Sequence, residues 1–389
     1  SNFNQDISGW DVSSLISMER MFGNAVDFNQ ALDSWDVSKV ENMSLVFRTA
    51  NSFNQPLGSW DVSNATTILH MFSGNCPFDQ DISGWNVSKV ENISHIFSQN
   101  SKFNQDISGW DVSSVTNMEY TFYSATAFNQ DISGWNTFKV EKMPYMFSEA
   151  SSFDQDISGW NVSSVDNMSY MFRSAHVFNQ NIGGWNVGNV TTMQAMFRDA
   201  RIFNQNIGGW NTANVSSMQS MFYSESDSGT SQTVFNQNIG GWNVSKVTHI
   251  GSMFRSAKFN QNISGWDVSK VSIFTNYGLN SSHSDDDLFT ISSEYYFIIT
   301  QTALTNDNIQ DAVNAWISDP SILLYGGHIS NWDVSQVTDM NELFKDKTSF
   351  NEDISGWNVS NVTDMSAMFR NSAFNQDIRD WNVSSVKDM

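Results

Sequence analysis

The sequence predicts an α/β repeat solenoid, a fold in which similar short units stack in a row. Two observations predict it: tryptophans recur every 25 residues from Trp10 to Trp210 and at 24, 25, 32 or 66 residues after that, and the apolar pattern around each of them is nearly the same. The pattern is clearest in residues 103–115, FNQDISGWDVSSV. A fixed period between about 20 and 50 residues is typical of repeat architectures. The tryptophans of the units are Trp10, Trp35, Trp60, Trp85, Trp110, Trp135, Trp160, Trp185, Trp210, Trp242, Trp266, Trp332, Trp357 and Trp381.

Each unit combines two apolar periods. Ile107, Trp110 and Val112 have the L-x-x-L-x-L spacing of the strand in leucine-rich repeats, which predicts a short strand. Apolar residues then step by three and four over residues 115–125, which predicts a short amphipathic helix. One unit cannot cover both sides of its apolar layer. We therefore expect a leucine-rich-repeat-like right-handed superhelix, with a parallel sheet of short strands and short helices on the opposite side.

A phenylalanine, an asparagine and a glutamine open most units and predict a corner in the chain. In one unit Phe128 would fill this corner. The side-chain amides of Asn129 and Gln130 would bond backbone groups that the turn removes from water, and would stack from unit to unit.

The spacing of the units divides the chain into four segments. Residues 1–274 form a first repeat array, with a polar insert at 223–234. Residues 275–301 interrupt it with a polar loop and an apolar strand, residues 302–328 form a helical cap, and residues 329–389 form a second array. Both ends of the chain fall within a repeat, so we expect either a longer precursor or ends that abut other subunits.

Composition excludes some classes of partner. The net charge of −22 makes binding of nucleic acid or anionic membrane unfavourable. No apolar run reaches the roughly 18 residues of a membrane span, so we predict no membrane insertion. Cys76 is the one cysteine, which leaves either a buried thiol or an intermolecular link.

The motifs F-N-Q-D-I-S-G-W-[DN]-V-S-x-V-x-x-M and M-F-x-x-A closely resemble the 25-residue repeat of mycoplasma-type surface lipoproteins, which is grouped with BspA-like leucine-rich-repeat surface proteins. The segment LTNDNIQDAVNAWISDP, followed by HISNWDVSQVTDM, resembles the start of arrays in that family. The resemblance implies an extracellular or surface-displayed protein used in adhesion or in surface structure. It implies no enzymatic activity and carries no defined binding residues.

No pattern in the chain indicates catalysis. The six histidines fall at unrelated repeat positions, and there is no phosphate-binding loop, nucleophile elbow or H-E-x-x-H motif. We predict a protein that is not an enzyme and that has no cofactor, with calcium as the one alternative.

Four aspartates occupy the same position in consecutive units and would stack at strand spacing. Like charges in register destabilise a sheet. Calcium bound between the carboxylates would relieve the repulsion, and so would outward splay into water or hydrogen bonds to the adjacent turn. The four residues are Asp81, Asp106, Asp131 and Asp156.

Fourteen N-x-[ST] sequons make glycosylation a candidate in a secreted eukaryotic protein. Many are by-products of the W-N-V-S motif, whose asparagine would face outward. The sequon asparagines are Asn42, Asn64, Asn86, Asn92, Asn161, Asn167, Asn189, Asn214, Asn243, Asn262, Asn280, Asn358, Asn361 and Asn382.

The residue after each tryptophan would line the outer face of the sheet. It is either a solvated strand face or a hydrogen-bonding surface for a protein or glycan ligand. The ligand-face candidates are Asp11, Asp36, Asp61 and Asp111. Two functions follow: a structural protein that self-associates end to end into a fibre or coat, or a cell-surface adhesin.

Overall fold

The computed structural model describes residues 2–225, 232–263, 265–268, 270–271, 304–318 and 328–389. The chain divides into two compact units, Ser1–Gln261 and Asn262–Met389, and each is described by itself. Within the described residues the helices are α1, Ile309–Ser318, and a 3₁₀ turn, Ile329–Asn331. The expected apolar strand at 295–300 and the middle of the polar insert, residues 226–231, lie outside the described residues.

The predicted α/β fold class, a leucine-rich-repeat-like right-handed superhelix with a parallel sheet and short helices on the opposite side, is wrong. Repeats in the described part of the chain meet through isolated parallel bridges of one residue each, such as Asn117 with Lys142, and these do not extend into a sheet. The predicted strand is interrupted by a turn in which the Trp110 N–H donates to the Ile107 carbonyl at 3.1 Å. Residues 115–125 form a succession of turns where the helix was expected.

The helix fails to form because two residues in most of the described repeats adopt left-handed backbone conformations. Tyr120 has φ 54° and Ser124 has φ 52°, whereas a right-handed helix requires a negative φ throughout. Short bonds reach back three residues, as from the Ala125 N–H to the Phe122 carbonyl at 3.0 Å. In a helix, each backbone N–H beyond the first turn would bond a carbonyl of the same segment. Here every second N–H points instead to the next repeat.

Peptide groups of neighbouring repeats bond in columns along the first compact unit. The Tyr120 N–H donates to the Pro144 carbonyl at 3.0 Å, and the Tyr145 N–H donates to the Ser169 carbonyl at 2.9 Å. Because Pro144 and Tyr145 share one peptide group, the bonds form a continuous column whose donors all point toward the next repeat. Three parallel columns pass through the N–H groups of Met118, Phe122 and Ser124.

The core of the first compact unit is made of side chains that stack from repeat to repeat. The rings of Phe122 and Phe147 lie 5.5 Å apart, and Phe122 also stacks on the corner residue Phe128 at 3.9 Å. The buried indole of Trp135 donates its Nε1–H to the Ile107 carbonyl of the preceding repeat at 3.2 Å. Fully burying a phenylalanine contributes about 1.5–3 kcal/mol, so repeat-to-repeat stacking carries most of the stability.

In the second compact unit, α1 covers the first repeat of the 329–389 array. Its residues Val313 and Trp316 are buried in one core with Trp332 and Phe350. The Gln310 side-chain amide also donates to the Leu343 carbonyl at 3.2 Å. The helix thus covers the apolar side chains of this repeat, and it also bonds one of the repeat's backbone carbonyls.

Candidate functional site

Aspartate or asparagine closes the same small turn at two positions in the repeat. The Ser108 N–H donates to Asp106 Oδ1 at 2.9 Å, and the Ser113 N–H donates to Asp111 Oδ1 at 3.0 Å. In both, the carboxylate reaches the backbone two residues on, as in an Asx turn. The motifs D-I-S and W-D-V-S are therefore turn signals.

The four stacked aspartates, here called the aspartate ladder, each accept such a bond at 2.8–2.9 Å. Hydrogen bonds from the serine two residues on, chiefly from its backbone N–H, lower the pKa of all four carboxyls. The negative charges of Asp131 and Asp81 work against this and raise the pKa of Asp106. The ladder consists of Asp81, Asp106, Asp131 and Asp156.

The geometry thus contains the turn bonds that were one of the alternatives to calcium. Among the residues that the structure describes, no group of three or more His, Cys, Asp or Glu side chains is placed to hold a metal ion. A calcium ladder stays a prediction, and comparing the stability of the protein in calcium and in chelator would test it.

The ligand-face candidates take part in the second turn. A bond from the side chain of the serine two residues on, followed in size by one from its backbone N–H, lowers the pKa of each carboxyl. All four residues are exposed, and their carboxylates are ionised at neutral pH. They are Asp11, Asp36, Asp61 and Asp111.

The predicted stacking of corner amides is confirmed. The Asp154 N–H donates to Asn129 Oδ1 at 3.0 Å, and the Gln155 amide donates to the same oxygen at 3.0 Å. The Asn129 N–H in turn donates to Asn104 Oδ1 at 2.9 Å. Because an aspartate supplies the same acceptor at Asp79, the position requires a side-chain oxygen, and an amide is not essential.

Most sequon asparagines of the described residues fall into three geometric groups. In the W-N-V-S group, Asn161 accepts the Ser163 N–H through Oδ1 at 3.0 Å, which leaves its amide nitrogen outside that turn. In the second group, Asn214 donates Nδ2–H to the Gly188 carbonyl of the preceding repeat at 2.8 Å. Both of these residues are exposed. In the third group, Asn42, Asn92 and Asn167 are partly buried and accept the N–H two residues on through Oδ1. Asn280 lies outside the described residues.

A row of stacked rings occupies the first left-handed position of five consecutive repeats. Ring centroids along this row are 4.0, 4.4, 4.3 and 4.4 Å apart. The faces of the inner rings are covered by their neighbours, so mainly ring edges and polar atoms face outward. The ring row is made of His70, His95, Tyr120, Tyr145 and Tyr170.

Burial alters the titration of the ring row. Partial burial, followed in size by the charge of Arg48, lowers the pKa of His70 to about 4. Burial, followed by the charges of His70 and Arg48, lowers the pKa of His95 to about 4. This histidine pair is neutral at pH 7. Burial also raises the pKa of Tyr145.

A second row carries arginine at the position after the core phenylalanine. Arg198 and Arg255 place their guanidinium groups 4.6 and 5.4 Å from the ring centre of Tyr223. Arg198 also bonds Glu225 at 3.0 Å. The arginine row consists of Arg173, Arg198 and Arg255.

Sequence reasoning missed both rows because it looked for residues that recur. The rows lie where the repeats differ from each other, at the variable positions of M-x-x-M-F-x-x-A. The available signal was the collection of Tyr, His and Arg at those positions.

Five stretches of the chain, residues 1–78, 66–181, 129–231, 228–294 and 321–389, match a family described as "Mycoplasma protein of unknown function, DUF285". The chain belongs to this family. The five matches confirm the resemblance to the mycoplasma-type repeat and show that this is a repeat protein. No curated protein sequence matches the chain.

Two further observations bear on the chemistry of this DUF285 chain. Burial raises the pKa of the Cys76 thiol to about 12, so this buried side chain is a poor nucleophile. None of the described helices is long and apolar enough to cross a membrane.

Proposed function

We propose that the protein is a non-enzymatic extracellular structural protein, a subunit of a surface fibre or coat that assembles head to tail through repeat stacking. The observation that carries the proposal is that the recurring polar residues bond from repeat to repeat or within turns. The amides of Asn129 and Gln130 contact the repeat before them, and aspartates close the turns. The motif therefore serves assembly of the stack.

The peptide columns give this assembly a direction. Four N–H groups per repeat, beginning with those of Met118 and Tyr120, donate forward to the next repeat, while carbonyls of the same peptide groups accept from the repeat before. The forward and backward faces of a repeat are therefore different and complementary. Such a heterologous contact favours head-to-tail stacking, which produces filaments when it does not close.

The backward face of the repeat that contains Trp10 exposes apolar groups that other repeats bury. Trp10 is 55% exposed and Ile16 is 54% exposed, whereas Trp60 is 3% exposed. In the second compact unit, α1 contributes to the core that buries the equivalent residue, Trp332. In our proposal the forward face of a second copy covers Trp10 and Ile16.

Negative-stain imaging and sedimentation velocity of the purified protein test the proposal. We expect polymers that lengthen with concentration, and we expect the double variant Trp10→Glu, Ile16→Glu to abolish them. Phe138→Glu is the matched control, because Phe138 is 58% exposed but lies on the side of an internal repeat. A wild-type protein that stays monomeric at high concentration would show the proposal to be wrong.

The second candidate is a cell-surface adhesin that binds a protein or glycan ligand. The ring row favours it, because tyrosine is enriched among the residues that contribute most of the binding energy at protein interfaces. Immobilised glycans and surface proteins can be screened with the wild-type chain and with a Tyr145→Ala variant. Binding that this variant loses while its fold is retained would support the adhesin.

A further inference from the structure

The arginine row lies in a stretch of net positive charge in an acidic chain. Residues 173–258 contain six Lys and Arg against three Asp and Glu, a net charge of +3, whereas the whole chain carries −22. In the same stretch asparagine replaces aspartate at the ladder position, at Asn181, Asn206 and Asn238. The repeats that contain Arg198 and Arg255 therefore lack the ladder carboxylate, whereas the repeat of Arg173 carries it at Asp156.

The row also has a defined geometry. Arg173 bonds Glu149 at 2.7 Å, and Tyr223 lies between the guanidinium groups of Arg198 and Arg255. A guanidinium held against an aromatic ring keeps its orientation at little further entropic cost, and it can pair with carboxylates through several N–H groups.

The aspartate ladder has the opposite charge and a similar length. Its four carboxylates occupy consecutive repeats, are exposed, and have lowered pKa values, so they are ionised at neutral pH. The charges of its neighbours Asp131 and Asp81 oppose ionisation of Asp106. The ladder thus presents a row of exposed negative charges at a spacing of about 4.8 Å per repeat.

We propose that the arginine row of one copy binds the aspartate ladder of a second copy, so that stacked chains associate side by side. The proposal rests on the structural function above and adds a lateral contact to the end-on one. Both rows repeat along the stack, so several charge pairs form together in one register.

The ionic strength decides which charges two copies sense. At 0.1 M salt the Debye length is about 10 Å, roughly two repeats, so the contact senses the arginine row and the ladder more than the distant net charge. At 0.01 M the Debye length is about 30 Å, and two chains of −22 repel each other. At 1 M the local pairs are screened as well. Lateral association should therefore be strongest near 0.1 M and weaker at both extremes.

Two sets of variants separate the two sides of the contact. The row variant carries Arg173→Gln, Arg198→Gln and Arg255→Gln, and its matched control is Arg48→Gln, at the same repeat position in an acidic repeat. The ladder variant replaces each of the four aspartates by asparagine. It keeps the turn, because Asn181 Oδ1 accepts the Gly183 N–H at 3.1 Å at the equivalent position.

The deciding experiment is a complementation assay by sedimentation velocity at 0.1 M salt. All chains carry Trp10→Glu and Ile16→Glu, which removes end-on stacking and leaves the lateral contact. We expect each variant alone to associate at least tenfold more weakly than the Arg48→Gln control. We expect an equimolar mixture to regain association, because the ladder variant supplies an intact row and the row variant an intact ladder.

A mixture that stays monomeric while both variants are folded by circular dichroism would overturn the proposal. Unchanged self-association of the row variant would also overturn it. If that variant associates normally but no longer binds a sulfated polysaccharide, the arginine row serves to bind a polyanion. These outcomes are separate from those of the proposed function, since end-on polymers of chains with intact Trp10 and Ile16 do not depend on the two rows.

Discussion

Replacing Asn204 by alanine should destabilise one contact between repeats by an amount that can be estimated. Asn204 Oδ1 accepts the Asn236 N–H at 2.9 Å and the Gln237 amide at 3.1 Å. Alanine removes this acceptor and leaves the Asn236 N–H, which is partly buried, without its partner. Each lost hydrogen bond contributes about 0.5–1.5 kcal/mol, so we expect the free energy of unfolding to fall by about 2 kcal/mol.

The aspartate variant is the control for this change. Asp79 and Asp154 occupy the same position and make the same bonds, so Asn204→Asp should be close to neutral. Asn204 suits the test because the corner residues of the two adjacent repeats, Asn179 and Asn236, are uncharged. Aspartate here therefore meets no adjacent carboxylate.

Hydrogen exchange at the Asn236 amide, together with urea unfolding, measures the effect. A loss of 2 kcal/mol corresponds to about 30-fold faster exchange through local opening. Alanine and aspartate variants that are both as stable as the wild type would refute the reasoning, because the side-chain oxygen would then contribute nothing. An equal loss in both variants would also refute it, because the amide group would then be required.

Three further predictions follow. Phe147→Ala should lower the free energy of urea unfolding by about 3–5 kcal/mol, because Phe147 is fully buried. The exposed control Phe138→Ala, in the same part of the stack, should change it by less than about 0.5 kcal/mol. Equal losses in the two variants would contradict the assignment of Phe147 to the core. Replacing the histidine pair by tyrosines should flatten the fall in melting temperature between pH 6.5 and 4. Folding lowers the pKa of both histidines from near 6.5 to about 4, so their contribution to stability is complete above pH 6.5 and is lost as the pH falls toward 4. An unchanged pH profile would show that the pair does not titrate on unfolding. In a secreted eukaryotic preparation, peptide mapping should find glycan more often at Asn161 than at Asn214, whose Nδ2 bonds the preceding repeat; the reverse order would contradict these two sequon groups.

The repeat register and the buried residues were predictable because they depend on side-chain chemistry that recurs. Tryptophan and phenylalanine at fixed intervals must be covered by neighbouring repeats, and Trp135 and Phe147 are buried in this way. A corner that removes backbone groups from water needs side-chain acceptors, which Asn129 and its equivalents supply.

The α/β fold class was not predictable from the same residues. Steps of three and four are shared by a helix and by the series of turns that the chain adopts over residues 115–125. The difference is the left-handed backbone of Tyr120 and Ser124, and neither residue is of a type that signals it. Bonds to the next repeat compensate for this conformation, and they form only when the repeats are stacked.

The sequence by itself determined that this is a DUF285-type repeat protein with a period of 25 residues, a stacked apolar interior and amide-bonded corners. Only the tertiary structure decided that the backbone bonds run along the stack in columns, and that variable positions form the ring row and the arginine row. The physical reason is distance along the chain: residues 25 positions apart have no local interaction, so their partners exist only once the repeats stack.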